Sequence, residues 1–378
     1  MPTPYENIKK WILQSGLVIS DPNDINYGAV HSFFEQSKGE YGFLYSEITG
    51  YAASTFSFLY KIEQNENFLK LAKASSYWLI DIFDKFGGIV QGIGDKRTRT
   101  RFAYSFDTAI CTKGLLDYYS LKKDEKILDY AKKFSDWLID AVDEDGTLFP
   151  FMDLQTQKFS ESDEVWYKRK GCLHIKTAIP LLQLYKVTRQ KNLLKIAENI
   201  CNNYSRFQNY DGSFSLYENS TEINLHTQSY ALEGLLFAFS VTKNEEYLKS
   251  CKKALDWCSD KIQKDGSINL WFNSKYDAKA VYPIAQIIRL MILLDKIYES
   301  THYKSNIDKL ISFMISLQAK EGDRKVLGGF YEEFYKSMFG WKKRQKLNSW
   351  GSFFAIQALN WFDNYNKIKF DESINLLY

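Results

Sequence analysis

Residues 226–241 read HTQSYALEGLLFAFSV and residues 245–262 read EEYLKSCKKALDWCSDKI, with only Thr242-Lys243-Asn244 between them. Both stretches repeat apolar side chains at i, i+3, i+4 and i+7, the spacing of an α-helix. They differ in what fills the rest of each turn. The second carries a lysine-rich polar face, so one stripe is buried and the other meets water. The first is apolar nearly all round, with small and aromatic residues where charges would be, as suits a helix enclosed on every side. Joined by so short a turn, the two must run antiparallel, one inside and one outside.

The alternation repeats in both directions from this hairpin. Amphipathic helices of the outer kind are predicted over 67–83, 125–142, 192–207 and 303–317, with 5–14 as a shorter member. Enclosed helices of the inner kind are predicted over 47–60, 106–119, 174–187, 280–298 and 349–365. Inner helices lead to outer ones by short turns, such as Leu121-Lys122-Lys123-Asp124. The return segments are long and often open on a glycine turn: Gly87-Gly88, Asp145-Gly146, Asp211-Gly212 and Asp265-Gly266. Inner helices start roughly 50 to 70 residues apart, too long a period for a tetratricopeptide-type array. The pattern predicts an all-α chain of about six helical hairpins closed into an (α/α)6 toroid, with an open solenoid of the same hairpins as the alternative. In the closed ring the inner helices are parallel and their N-termini share one mouth with the long loops.

Composition bounds the function. The chain has 378 residues, 45% apolar and 25% charged, with a formal net charge of +3. Residues 1–378 are expected to form one toroid domain, since toroids commonly exceed ordinary domain size. No basic stripe of the kind nucleic acid requires is present, so no nucleic-acid partner is expected. The start, Met1-Pro2-Thr3-Pro4-Tyr5-Glu6, has no basic region followed by an apolar one, so no signal peptide is expected. The most apolar stretch, around 280–294, is interrupted by Gln286 and Arg289 and is shorter than a membrane span. Five cysteines without CxxC spacing read as reduced structural thiols, which points to a cytoplasmic location. Oligomeric state leaves no mark in the sequence.

The mouth is where chemistry is expected. Inner helices open with polar residues at Ser46-Glu47, Ser105-Phe106-Asp107, His174, His226-Thr227 and Asn348-Ser349. Such residues commonly cap helices. Glu47 and Asp107 are also a candidate general acid and base for glycoside hydrolysis, where the separation of the carboxyl groups sets the stereochemical outcome. His174 and His226, two of only four histidines, could trade protons on opposite faces of a sugar, as an epimerase requires. Asp277 and Glu333 are further candidates. Aromatic residues make up 16% of the chain, and aromatics with a polar edge suit sugar faces. Tyr45, Tyr51, Trp166, Tyr230 and Trp341 are the expected stacking rings. Three basic runs, Lys96 to Arg101, Lys168 to Lys170 and Lys342 to Lys346, each precede an inner helix. Arg99, Arg101 and Arg169 from these runs suggest an anionic substrate, because guanidinium groups bind carboxylate and phosphate in bidentate fashion. Only one cysteine lies near His174, so no metal site is expected. There is no P-loop, GxGxxG or nucleophile elbow.

Three stretches carry a family resemblance: Tyr45-Ser46-Glu47-Ile48-Thr49-Gly50-Tyr51, Ser105-Phe106-Asp107-Thr108-Ala109, and the run from His226 through Glu233 to Leu236. They resemble the PETTGY, VFDTG and HTxAYxLxGLLE patterns of six-hairpin-glycosidase-like proteins, in a branch associated with surface-polysaccharide biosynthesis. Ser46 stands where that pattern has proline and Ala109 where it has glycine, and both carboxylates are kept. The resemblance covers nearly the whole chain and implies an (α/α)6 fold acting on carbohydrate. A glycoside-hydrolase-type enzyme without cofactor is the first expectation, with Glu47 and Asp107 as acid and base and His174, His226 and Asp277 positioning the sugar. A sugar epimerase or isomerase, a polysaccharide lyase, and a non-catalytic glycan-binding or assembly protein are the alternatives.

Overall fold

A computed structural model describes residues 2–94 and 97–378. Outer and inner helices alternate along the chain. The outer set is α1 (Pro4–Gln14), α3 (Glu66–Phe86), α5 (Glu125–Asp140), α7 (Lys191–Ser205), α9 (Glu245–Lys261) and α11 (Lys304–Ser316). The inner set is α2 (Ser46–Glu63), α4 (Ser105–Lys122), α6 (Ala178–Thr188), α8 (Leu225–Thr242), α10 (Val281–Ile297) and α12 (Ser349–Asp363). The two burial patterns follow the two kinds of sequence. Helix α5 buries only the stripe Ile127, Leu128, Ala131, Phe134, Ser135, Trp137 and Leu138. Helix α10 is buried at nearly every position from Val281 to Asp295.

The ring closes. Helix α2 packs on α4, α4 on α6, α6 on α8, α8 on α10, α10 on α12, and α12 back on α2. Inner helices α2, α4, α6 and α8 end on Gln64, Lys123, Arg189 and Lys243, each in the left-handed region with φ between 52° and 62°. That cap reverses the chain at once, and Asn65, Asp124 and Asn244 then cap the next outer helix with their side chains.

At the mouth, short strands stitch neighbouring loops together. Leu44–Tyr45 pairs with Gly92–Ile93, Phe102–Tyr104 with Phe151–Asp153, and Ile223–Asn224 with Trp271–Phe272. Ala278–Ala280 pairs with Glu333–Ser337, and Lys346–Asn348 returns to pair with Phe33–Glu35. These strands are the departure from the all-helical expectation. At two to five residues they are too short to carry a period-2 signal. A second departure lies before α6, where the expected helix over 174–187 opens instead as a 3-10 turn, Cys172–Thr177. Pro180 in the first turn of α6 cannot donate to a preceding carbonyl, which ends any regular helix running in from upstream.

The far end of the ring is plugged. The short helix α13 (Phe370–Ser373) packs on α10, and Leu377 and Tyr378 beyond it are fully buried. The Tyr378 hydroxyl donates to the Phe353 carbonyl at 2.9 Å.

Close approach of the inner helices requires glycine at two contacts. A Cβ on Gly114 of α4 would lie 2.6 Å from the Gly50 carbonyl oxygen, and one on Gly234 of α8 would lie 2.3 Å from that of Ile175. Backbone atoms cannot swing aside as a flexible side chain can. Gly114→Val and Gly234→Ala are each expected to cost roughly 1–3 kcal/mol of stability, read as a lower urea midpoint with an unchanged m-value.

Candidate active site

The second residue of every inner run points into one well: Glu47, Phe106, Leu173, His226, Tyr282 and Trp350. This follows from geometry. Parallel helices that begin at one level around a ring aim the same first-turn position at the axis. The well encloses about 240 Å³, and its wall also holds Tyr45, Tyr104, Asp107, Trp166, Tyr167, Tyr230 and Gln91.

Glu47 and Asp107 are buried, at 9% and 6% exposure. Neither is the N-cap of its helix. Those positions belong to Tyr45 and Tyr104, neither of which makes a side-chain cap bond. Oδ2 of Asp107 has no hydrogen-bond partner among the described residues. A buried carboxyl oxygen left without a partner carries a desolvation cost that a structural cap would not. Burial lifts the Glu47 pKa to about 7, against the downward pull of the Tyr45 hydroxyl, the Lys176 ammonium and the Tyr230 hydroxyl. Asp107 is lifted well above the ordinary aspartate range by burial first and then by the charge of Glu47. The two therefore titrate as a coupled pair, and the hydroxyls and the ammonium that pull on Glu47 make it the member that ionises more readily.

His226 sits across the well, its ring centroid 4.2 Å from that of Tyr230 and 4.5 Å from that of Tyr282. Its Nδ1 lies 2.5 Å from Oε1 of Gln286. Burial lowers its pKa to about 3, helped by the charges of Lys176 and Arg289, so the ring is neutral. Beneath it, fully buried Glu233 receives Lys176 and Arg289 at 2.6 Å each.

A second hollow of about 350 Å³ opens beside the well and shares Trp166, His226 and Tyr282 with it. Its far wall holds Trp271, Tyr276, Glu332, Glu333, Arg344 and Lys346. Arg344 donates to Glu333 at 2.7 Å and to the Tyr276 hydroxyl at 2.8 Å.

Of the residues expected at the site, Tyr45, Glu47, Asp107, Trp166, His226 and Tyr230 come together in the well, and Glu333 lies in the annex. The others stand apart. His174 turns away from the well, against the Gly171 backbone, and stacks on Tyr204 of the outer helix α7 with centroids 5.5 Å apart. Tyr51 is fully buried behind the wall, edge-on to Phe354. Asp277 sits on the rim, its carboxylate 3.8 Å from Lys336. Trp341 lies on an exposed hairpin under Lys279. Arg99 stacks on the Phe43 ring at 3.5 Å and holds Gln91, which does line the well. Arg101 pairs with Asp153 at 2.8 Å, Arg169 with Asp163 at 3.2 Å, and Lys170 with Asp143. Lys96 lies outside the described residues. The basic runs thus spend much of their charge on neighbouring loops, and no lysine or arginine is among the described residues lining the well. Sequence reasoning missed Gln91, Tyr104, Tyr282 and Trp350. The signal for Tyr282 and Trp350 was present, since they occupy the inner-helix position of Glu47 and His226.

No protein-family model matches the chain, and no curated protein matches it in sequence. Solved structures do match in shape. One is D-mannose isomerase, 13% identical, with 96% of this chain and 97% of that one covered at a TM-score of 0.76. Another is cellobiose 2-epimerase from Bacillus thermoamylovorans, 12% identical, covering 95% and 96% at 0.75. A third is an unsaturated glucuronyl hydrolase specific for heparin, 12% identical, covering 97% and 98% at 0.71. The fold is the (α/α)6 toroid that these structures share. At such identities the likeness speaks for the fold alone. Among the described residues no helix is long and apolar enough to cross a membrane, and no group of three or more His, Cys, Asp or Glu could hold a metal ion.

Burial of Glu47 has a measurable consequence. A carboxyl whose folded pKa is raised, here from 4.5 to about 7, stabilises the fold fully below its unfolded value and loses that contribution as pH rises through its folded value. Glu47→Gln is therefore expected to stabilise the protein by on the order of 2–3 kcal/mol near pH 8. That gain should vanish as pH falls to about 4.5, when thermal unfolding of the two proteins is compared across the range.

Proposed function

We propose that the protein is a carbohydrate-active enzyme of glycoside-hydrolase type, taking one terminal sugar into the well and the next unit into the annex. The observation that carries this is the unpartnered Oδ2 of buried Asp107 beside an ionisable Glu47 in the wall of an aromatic well. Asp107, the member that keeps its proton, gives it to the glycosidic oxygen as the bond from that oxygen to the anomeric carbon breaks. Glu47, ionised above about pH 7, balances the positive charge that develops on the ring. Water supplies the hydroxyl that ends on the anomeric carbon, and its proton returns to the carboxyl pair. This chemistry needs no metal or organic cofactor. Trp166, Tyr104 and Tyr282 offer faces and edges suited to a sugar ring.

The substrate is read as neutral at the ring that reacts, since the charged groups of the well other than neutral His226 are carboxyls. An anionic group on the neighbouring unit fits the annex, where Arg344 and Lys346 stand. The motif resemblance supports a place in surface-polysaccharide work. Five buried, unpaired cysteines support a reducing compartment such as the cytoplasm.

Epimerisation or isomerisation is the second reading, favoured by a neutral His226 in the wall of the well. It would use His226 with the carboxyl pair, because His174 does not reach the well.

A panel of neutral and uronic-acid oligosaccharides, incubated with the enzyme in deuterated water and followed by mass spectrometry, separates the two. Hydrolysis is expected to release one sugar from the chain end without carbon-bound deuterium. Asp107→Asn should lower kcat by about 10³-fold or more while leaving saccharide binding within a few-fold. Incorporation of one deuterium with no cleavage would replace the hydrolase by the epimerase. The acid limb of the kcat/KM profile should lie near pH 7, and Glu47→Gln should abolish the pH-dependent limb along with most of the rate.

A further inference from the structure

The neutral state of His226 leaves two tautomers, and its surroundings choose between them. Glu233 is fully buried and accepts from Lys176 at Oε2 and from Arg289 at Oε1 at 2.6 Å each, so it meets its neighbours as an acceptor. Its Oε2 also lies 3.2 Å from the Gln286 side chain, which must therefore turn its amide nitrogen toward Glu233. That orientation leaves the amide oxygen, an obligate acceptor, 2.5 Å from Nδ1 of His226. The hydrogen between them belongs to the ring. No described residue hydrogen-bonds to Nε2, and His226 lines both the well and the annex.

We infer that Gln286 is a positioning residue that fixes His226 as the Nδ1–H tautomer, so that an unprotonated Nε2 faces the well as an acceptor for a substrate hydroxyl. Lys176, Glu233 and Arg289 act one step further back by holding the amide of Gln286 in its single useful orientation. Burial and the charges of Lys176 and Arg289 hold the ring neutral against the opposing pull of the Gln286 hydrogen bond, with Glu47 and Asp107 as the carboxyls that share the well. Tyr230 and Tyr282 pack against it with phenols held neutral by burial. Across the annex the carboxylates Glu332 and Glu333 stand with Arg344 and Lys346, which keep that wall from drawing a proton onto His226. The ligand class implied is a saccharide with a free hydroxyl at the position over Nε2, and an ether or deoxy carbon there would leave the acceptor unmatched. The inference deepens the proposed site and holds for either reaction.

Long-range ¹H–¹⁵N correlation of the imidazole rings tests it without turnover. Four histidines give few signals, and His226→Asn assigns the one that matters. The wild-type protein should show a protonated Nδ1 and an unprotonated Nε2 for His226, unchanged from about pH 5 to 9. Gln286→Met, close in shape and without the acceptor, should remove that preference and bring in the Nε2–H form while circular dichroism stays native. A merely structural role for Gln286 would alter stability and leave the tautomer as it was. A wild-type ring with hydrogen on Nε2, or one charged near neutral pH, overturns the inference. Because the spectrum reads the free protein, that failure is separate from any failure to find a hydrolysed substrate.

Discussion

Fully buried Glu233 is the interaction around which the inner ring is organised. It projects from α8 and meets Lys176 from the 3-10 turn before α6 and Arg289 from α10. Arg289 then reaches on to Gln357 of α12 and to the carbonyl of Tyr378 in the plug. One carboxylate thus ties together three of the six inner runs and, through Arg289, a fourth and the closed end. Burying three charges is costly, and their mutual attraction only offsets that cost when geometry and hydrogen bonds are complete. Removing a single member would strand the others, a loss on the order of 3–5 kcal/mol. An apolar core could hold the helices together equally well. What the triad adds is register: the helices must sit at the heights where these three groups meet.

Register is what the well depends on. The six inner runs present their second residues to a common axis because they begin at one level. A slip of one residue on any helix would rotate its contribution out of the wall by about 100°. The strands at the mouth hold the same level from the other side, since each lead-in is bonded to the next loop round to Phe33–Glu35 and Lys346–Asn348. The polar triad below and the strand pairs above clamp the first turns between them.

This also explains how much could be read in advance. The alternation of striped and fully apolar helices is written in side-chain chemistry that each helix carries alone, and it gave ring, mouth and topology directly. Site residues were legible where their helix starts were legible. Glu47 and His226 were placed in the wall by their position in the first turn. His174 was placed there by the same reasoning and does not belong, because the turn begins at Cys172 and puts Leu173 in the lining position. Pro180 was the clue to that shift. The basic runs failed for a different reason. Their partners Asp143, Asp153 and Asp163 lie in the loop leading to α6, and for Arg101 and Asp153 that means 52 residues downstream. A charge count along the chain cannot see such pairing. Glu233, Gln286 and Arg289 left the clearest unused signal: polar groups inside helices otherwise apolar all round have to find one another.

The triad reaches the chemistry as well. Two cations against one carboxylate leave a surplus positive charge under the floor of the well. That surplus acts in the same direction on two different groups. Lys176 pulls the Glu47 pKa down against its burial, which makes an anion attainable near neutral pH. Lys176 and Arg289 also push His226 further below its ordinary range, which keeps the ring an acceptor. Asp107 draws no such help from the triad, and Glu47 ionising beside it holds its proton more firmly. On the proposed mechanism this one buried charge arrangement favours an anion at Glu47, leaves Asp107 as the proton donor and keeps His226 a neutral acceptor. Without the Lys176 charge the Glu47 pKa would stand higher still, and the proposed chemistry would find its base only at a higher pH.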